Sequence, residues 1–235
     1  MNAGSNSSRI LGVAFLLQFI TSFSSGFFLQ PALIAPGNIS ESMIKIANNP
    51  WLAKTYILVE VLTALGIIFL GAILFLTLKK QNENMALTAL GFYILEAVLG
   101  VVGKSQAFSL LHISQEYVAA GQPAYLLTMG QVACESMDFV GLTLLMLAFC
   151  PGAILFYYLL YKSRVVPRAL SLWGLITVVP LLIAILLSTF DYQVPELVAL
   201  PYIPFEFVIG IWILVKGIRE GSETIRSPGL SRPSA

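Results

Sequence analysis

Long apolar segments, separated by short polar ones, follow one another along most of the chain. A helix needs about 20 mostly apolar residues to cross the roughly 30 Å hydrocarbon core of a bilayer, where its backbone groups must bond internally. Six segments meet this requirement, at about residues 10–29, 55–78, 85–111, 132–161, 169–189 and 197–215. The pattern predicts an all-α fold, a polytopic bundle of six transmembrane helices in one domain (1–219), followed by a disordered cytoplasmic tail (220–235).

Two of the spans carry signals besides apolarity. The first also has features of a cleaved signal peptide, since it follows a polar start and ends in small residues at 21–26. A retained helix is favoured, because Arg9 alone supplies the basic charge and the apolar run continues through Phe27. The fourth span is longer than a crossing needs and contains Pro151, so we expect a tilt or a kink there. Close helix packing is expected through small residues in the spans: Gly66, Gly71, Gly100, Gly103, Gly141 and Gly174.

Basic residues in the short connections predict how the chain is oriented. Cytoplasmic loops are enriched in Lys and Arg, and with the amino terminus inside, ten of the 13 basic residues are cytoplasmic and two, Lys45 and Lys54, are external. The cytoplasmic ten are Arg9, Lys79, Lys80, Lys162, Arg164, Arg168, Lys216, Arg219, Arg226 and Arg232. Both termini are therefore predicted in the cytoplasm, in the plasma membrane of a cell.

The predicted external segments are the longer ones. Residues 30–54 contain the cap candidates Asn38 and Ser40, then apolar residues at helical spacing up to Ala47 before Asn49 and Pro50. This pattern is typical of a short amphipathic helix on the outer interface. Residues 112–131 mix aromatic and apolar residues with Gly and Pro, which predicts a broken or interfacial segment. Residues 190–204 are Pro-rich and acidic.

Composition agrees with a membrane protein and excludes several other classes. The chain is 57% hydrophobic and only 11% charged, against about 25% charged residues in a typical soluble domain, and its mean hydropathy is +0.86. It cannot cover a water-facing surface. A net charge of +1 without a basic patch argues against a nucleic-acid partner, which leaves the lipid bilayer as the partner that the sequence itself indicates.

Ionisable residues inside the spans are the candidate functional residues. A charge at the bilayer centre costs about 2.5 to 3.5 kcal/mol on insertion scales and usually faces the bundle interior or a cavity. Glu135 and Asp138 stand three residues apart and so project from one helix face. The residues are expected to form one polar zone, opening outward, on the second, third, fourth and sixth spans. The candidates for ligand or cation binding are Glu60, Glu96, Lys104, Glu135, Asp138 and Glu206.

Five carboxylates in this set share one lysine, and two interpretations of that excess stay open. In the functional one, the acids form a site for a cation, a proton or an amine-bearing ligand in an outward cavity. In the structural one, Glu60 and Lys104 form a pair, Glu135 and Asp138 lie among lipid headgroups, and Glu96 and Glu206 hydrogen-bond as neutral acids.

Other chemistry finds little support. His112 is the single histidine, which excludes a histidine-based metal cluster or a bis-histidine haem. Cys134 and Ser136 flank Glu135, but no oriented base accompanies them, and no phosphate loop or zinc motif occurs. We therefore expect no catalytic residues, no metal and no cofactor, which leans against an enzyme. The aromatic residues near the fourth cytoplasmic end are interpreted as an interface belt: Tyr157, Tyr158, Tyr161 and Trp173.

Four segments carry a family resemblance that covers nearly the whole chain. They are Arg9 to Gly12, Phe92 to Gly103 (FYILEAVLGVVG), Tyr158 to Ile176 (YLLYKSRVVPRALSLWGLI) and Pro204 to Gly217 (PFEFVIGIWILVKG). The chain resembles the six-helix, mainly bacterial membrane proteins of domain of unknown function family 4386. The resemblance implies that relatives often carry an acid at Glu96 and Glu206, while the stretch 135–141 departs from the family's pattern. It implies no activity.

Three functional hypotheses follow. The first is a membrane module that binds a small molecule, cation or lipid in an outward-facing acidic cavity and serves transport or sensing. The alternative is a structural or regulatory membrane subunit that acts through contacts with an unknown protein partner. The third is an intramembrane enzyme in which Glu135 and Asp138 act as acid and base on a lipid-like substrate.

Overall fold

The structure is a computed structural model that describes residues 3–190 and 192–218. The tail predicted at 220–235 lies outside these residues. Throughout the described part, the regular secondary structure is helical and contains no strand, in agreement with the all-α prediction.

Nine α-helices occur in the described residues, with π-helical turns at Ser25–Leu29 and Phe139–Leu144 and a 3-10 turn at Glu196–Val198. The helices are α1 (Ala3–Ser24), α2 (Gln30–Leu33), α3 (Ile39–Asn48), α4 (Pro50–Leu78), α5 (Glu83–Ala119), α6 (Ala124–Asp138), α7 (Leu145–Ser163), α8 (Arg168–Thr189) and α9 (Ile203–Lys216).

Five helical segments of the described chain are long and apolar enough to cross a membrane: Arg9–Leu33, Pro50–Leu78, Glu83–Ala119, Ala124–Ser163 and Arg168–Thr189. They correspond to the first five predicted spans and make the chain a membrane protein. The sixth prediction, 197–215, overlaps α9, which has 14 residues and begins only at Ile203. A sixth crossing therefore stays a prediction.

The segment 112–131, predicted to be broken or interfacial, is broken at residues 120–123. Helix α5 continues to Ala119 and α6 begins at Ala124, so a four-residue turn joins two long helices. The backbone reverses there through left-handed residues, Gly121 at φ +79° and Gln122 at φ +65°. Gly and Pro in this segment end one helix and start the next, and the apolar residues around them belong to the helices.

The short helix predicted in 30–54 is present as α3. The Asn38 side chain caps it by accepting a hydrogen bond from the Glu41 backbone N–H at 3.0 Å. Its apolar face does not lie only on lipid, however, because Met43 and Ile46 are buried in a cluster with α5 and α6 residues such as Leu110. This second core surrounds the α5–α6 turn end of the bundle.

The fourth span departs from regular helix before the proline that was expected to disturb it. The π-helical turn Phe139–Leu144 joins α6 to α7, while α7 continues through Pro151. Gly141 lies in the turn against Gly103 of α5, where a Cβ on Gly103 would stand 2.5 Å from the Gly141 Cα. The two backbones therefore touch directly, as the prediction of packing through small residues requires at this pair.

The helices pack side by side, and short turns join α4 to α5 and α7 to α8. Helix α4 packs on α5, α5 on α7, α7 on α8, and α1 on both α4 and α9. The main core lies between these helices and includes the fully buried Phe15, Phe156 and Phe205. Helix α8 is held chiefly by α7 and touches α9 only briefly, so the bundle is least closely packed between α8 and α9.

Candidate functional site

The six ionisable candidates do not form one polar zone. The structure divides them into a buried ion pair near the second core, two acids on the α6 surface, and two acids in a cavity of the main bundle. The single zone predicted from the sequence is divided, because Lys104 of α5 pairs with Glu60, whereas Glu96 of the same helix lines a cavity with Glu206.

Glu60 and Lys104 form the ion pair that the structural interpretation predicted. The Lys104 Nζ lies 3.1 Å from Glu60 Oε2 and donates to the Tyr56 hydroxyl at 2.6 Å. The Ser25 hydroxyl, at the start of the first π-helical turn, donates to the other Glu60 oxygen. Lys104 is only 7% exposed and Ser25 is fully buried. Both charges therefore have partners, and this group needs no ligand to be satisfied.

Glu135 and Asp138 share the surface of α6, as their spacing predicted, but not a cavity. Both are exposed. Glu135 accepts a hydrogen bond from the Gln131 side-chain amide at 3.0 Å, one helical turn away. Asp138 ends α6 directly before the second π-helical turn. Nothing in their geometry encloses a substrate between the two carboxyls, and the enzyme hypothesis gains no support from them.

Glu96 and Glu206 line one cavity of about 480 Å³. Helices α1, α5, α8 and α9 and the segment from 142 to 149 form its walls, and residues 194–199 of the α8–α9 connection lie at one end. Glu96 comes from the middle of α5, and Glu206 stands in the first turn of α9. Two acids that are 110 residues apart in sequence therefore line the same cavity.

The polar groups of this cavity are unequally satisfied. Glu206 Oε1 accepts a hydrogen bond from the Tyr202 hydroxyl at 2.7 Å, and Tyr202 is in turn bonded to Tyr157 at 2.7 Å. Glu96 is only 5% exposed, yet its Oε2 has no hydrogen-bond partner among the described residues. The same holds for the Gln18 Oε1 on α1, where the side chain is 8% exposed. Two residues that line this cavity thus each carry a buried oxygen without a partner in the part of the protein described.

Aromatic rings supply much of the apolar wall. Phe19, Phe23 and Phe27 follow one another along one side of α1 and its π-helical turn, with ring centroids 5.3 Å and 4.3 Å apart. Across the cavity, Phe149 and Tyr202 pack edge to face with centroids 5.4 Å apart. Among the described residues, the lining includes no Lys, Arg or His, so the cavity combines acids with aromatic faces and no basic residue.

Some residues of this site escaped the sequence prediction. Tyr157 was assigned to an interface belt, which is wrong, because it is fully buried and bonded to Tyr202. Gln18 was not singled out, although an amide in the middle of a 25-residue apolar span was visible in the sequence. Tyr202 was not singled out either, although it stands four residues before Glu206 in the predicted span 197–215, a spacing that brings two side chains together on a helix.

Comparison with known proteins identifies the family and adds no activity. The family model described as "Domain of unknown function (DUF4386)" matches residues 10–217, which is most of the chain. No curated protein matches this chain, and no solved structure matches it.

Proposed function

The chain belongs to the DUF4386 family, and we propose that this membrane protein binds a small molecule in the cavity that contains Glu96 and Glu206. The observation that carries the proposal is Glu96, an acid that lines a cavity of about 480 Å³ and whose buried Oε2 has no hydrogen-bond partner among the described residues. Burying such a group is costly unless it is hydrogen-bonded or paired. A ligand that contacts it offsets that cost.

The volume and lining of the cavity support a small-molecule site. Ligand pockets in proteins are typically about 300 to 1,000 Å³, mostly apolar, with a few convergent polar groups that orient the ligand. Here the polar groups include Glu96, Glu206 and Gln18, and most of the remaining wall is apolar. The Tyr157–Tyr202–Glu206 hydrogen bonds hold one acid in place, which reduces the entropy lost on binding.

The proposal includes the orientation of the protein. Six crossings with both termini in the cytoplasm, in the plasma membrane, put the start of the α8–α9 connection outside, and Pro195 and Val198 from this connection line the cavity. In that orientation the cavity opens to the outer side. A site that exchanges ligand with the outside serves transport or sensing.

Filling the cavity tests the proposal. Ala184 of α8 lines the cavity, so Ala184→Phe places a ring in the space. Protein purified from its own host membrane and released from mild detergent in a mass spectrometer is expected to retain a bound small molecule as wild type. The Ala184→Phe variant is expected to lose most of it. Melting temperatures show whether each variant is folded.

Ala169→Phe is the matched control. Ala169 belongs to the same helix, is exposed, and does not line the cavity. It is expected to retain the bound molecule as wild type does. If wild type, Ala184→Phe and Ala169→Phe carry the same adducts, or if wild type carries none, the cavity is not a ligand site and the proposal is wrong.

A further inference from the structure

We propose that the ligand class of this cavity is the organic ammonium ion, a positively charged nitrogen attached to an apolar body. This inference rests on the proposed function and goes further, because it specifies the charge of the ligand. The nitrogen lies between Glu96 and Glu206, and the apolar body packs on aromatic rings such as Phe23 and Phe149.

Charge balance is the first argument. Two carboxyl groups line the cavity, and no basic side chain among the described lining residues stands opposite them. Lys104, the lysine of the spans, is already paired with Glu60. An ionised carboxylate away from water needs a cation or several hydrogen bonds to be stable. Glu206 receives one bond from Tyr202, and the Glu96 Oε2 receives none from the described residues. A ligand cation supplies what the site lacks.

The aromatic wall is the second argument, and it does not depend on the acids. Aromatic faces attract cations placed within about 6 Å of the ring centroid, and cages of such rings recognise quaternary ammonium groups. Phe19, Phe23 and Phe27 form a stacked row on one side of the cavity, and Phe149 and Tyr202 stand on another. Within the stacked row the rings cover one another's inner faces, and ring edges do not attract cations. The ring faces that no neighbouring ring covers, together with the carboxylates, favour a cation over an anion or a neutral polar molecule.

The apolar lining of the cavity favours an organic cation over a metal ion. A hard inorganic cation such as Ca²⁺ takes about six to eight oxygen ligands. Among the described residues, no group of three or more Asp, Glu, His or Cys side chains stands close enough to hold a metal. Leu142, Met146 and Leu181 line the same space, and such side chains pack against carbon. An ammonium ion with an apolar body uses both parts of the lining.

The test compares three probes of one shape whose charges do not change with pH. Benzyltrimethylammonium is the cation, neopentylbenzene replaces its nitrogen by carbon, and phenylmethanesulfonate is the anion. Binding is measured on the full chain in phosphatidylcholine nanodiscs, with empty nanodiscs subtracted. The ammonium ion is expected to bind saturably and to raise the melting temperature, and the other two probes are expected to bind at least about tenfold more weakly.

Acid-to-amide variants locate the binding. Glu96→Gln and Glu206→Gln keep the side-chain shape and remove the charge, and each is expected to weaken ammonium binding about tenfold or more. Glu135→Gln is the matched control, because Glu135 is exposed on α6 and does not line the cavity. It is expected to leave the affinity unchanged. Melting temperatures without probe confirm that the variants fold.

The outcomes separate this inference from the proposed function. If neopentylbenzene binds as tightly as the ammonium ion and Ala184→Phe abolishes both, the cavity is a ligand site but not a cation site, and the inference alone fails. The inference also fails if Glu135→Gln weakens ammonium binding as much as Glu96→Gln and Glu206→Gln do. If none of the probes binds and Ala184→Phe leaves the co-purified molecules unchanged, both proposals fail.

Discussion

The Lys104 ammonium group illustrates how one side chain can be satisfied inside a membrane protein. It is buried and lies 3.1 Å from the Glu60 carboxylate and 2.6 Å from the Tyr56 oxygen, two groups that stabilise its charge. We expect Lys104→Met to lower the free energy of unfolding by about 3 kcal/mol, because breaking a buried pair leaves the other charge uncompensated. The melting temperature in detergent measures the loss.

The double variant Lys104→Met, Glu60→Gln shows whether Lys104 stabilises the fold through its charge or through packing. Removing both charges is expected to restore much of the stability, since replacing a whole buried ion pair by uncharged groups is often neutral. A double variant no more stable than Lys104→Met would show that Lys104 stabilises the fold by packing rather than by charge. Full stability of Lys104→Met alone would contradict the pairing itself.

Residue identity predicted the six candidates and, in the structural interpretation, the Glu60–Lys104 pair, but not that Glu96 and Glu206 share a cavity apart from that pair. An acid in an apolar span is visible in the sequence because it is costly there, and all six candidates were found this way. Their partners depend on which helix faces meet, which hydropathy does not encode. Glu60 therefore meets Lys104, and Glu96 meets the cavity shared with Glu206, although all four were predicted in one zone.

At the scale of helices, the contact between α5 and the second π-helical turn is the closest backbone approach to test. A Cβ on Gly103 would stand 2.5 Å from the Gly141 Cα and 2.8 Å from its N. Because both are backbone atoms, Gly103→Ala forces the two segments apart. We expect a loss of about 1 to 3 kcal/mol, as for overpacked cores, measured as a lower melting temperature.

Gly91→Ala is the control on the same helix. A Cβ at Gly91 meets no atom within 4 Å, and alanine is favoured over glycine in a helix by up to about 1 kcal/mol. The variant is expected to be as stable as wild type or more stable. If Gly103→Ala behaves like Gly91→Ala, the close contact between α5 and the turn is not a constraint on the fold.

Helix ends were harder to predict than helix positions for one physical reason. Hydropathy detects the part of a helix that crosses lipid, whereas a helix ends where its backbone is capped. Helix α5 has 37 residues, about 55 Å at about 1.5 Å per residue, which exceeds the roughly 30 Å core of a bilayer. The predicted span therefore stopped at 111, while the helix continues to Ala119 as part of the second core.

For the whole molecule, the α1–α9 contact bears on whether the chain crosses the membrane six times. Gly12 packs against Leu214, Gly210 against Leu16, and Phe19 against Phe207 at 5.3 Å between ring centroids. In these contacts the residue number decreases along α9 as it increases along α1, so the two helices are antiparallel. Lys216, the last residue of α9, therefore lies toward the α1 end that carries Arg9. This supports both termini on one side, as the basic residues predict.

Labelling of single cysteines in intact cells tests that topology. In a background with Cys134→Ala and Cys150→Ala, a cysteine is introduced at Gln81 in the α4–α5 turn, at Ala120 in the α5–α6 turn, or at Ser222 in the tail. A membrane-impermeant maleimide is expected to label Ala120→Cys directly, and the other two only after permeabilisation. Direct labelling of Gln81→Cys would show that the orientation is the reverse of the predicted one. Direct labelling at Ser222 alongside Ala120 would mean that the chain crosses the membrane five times.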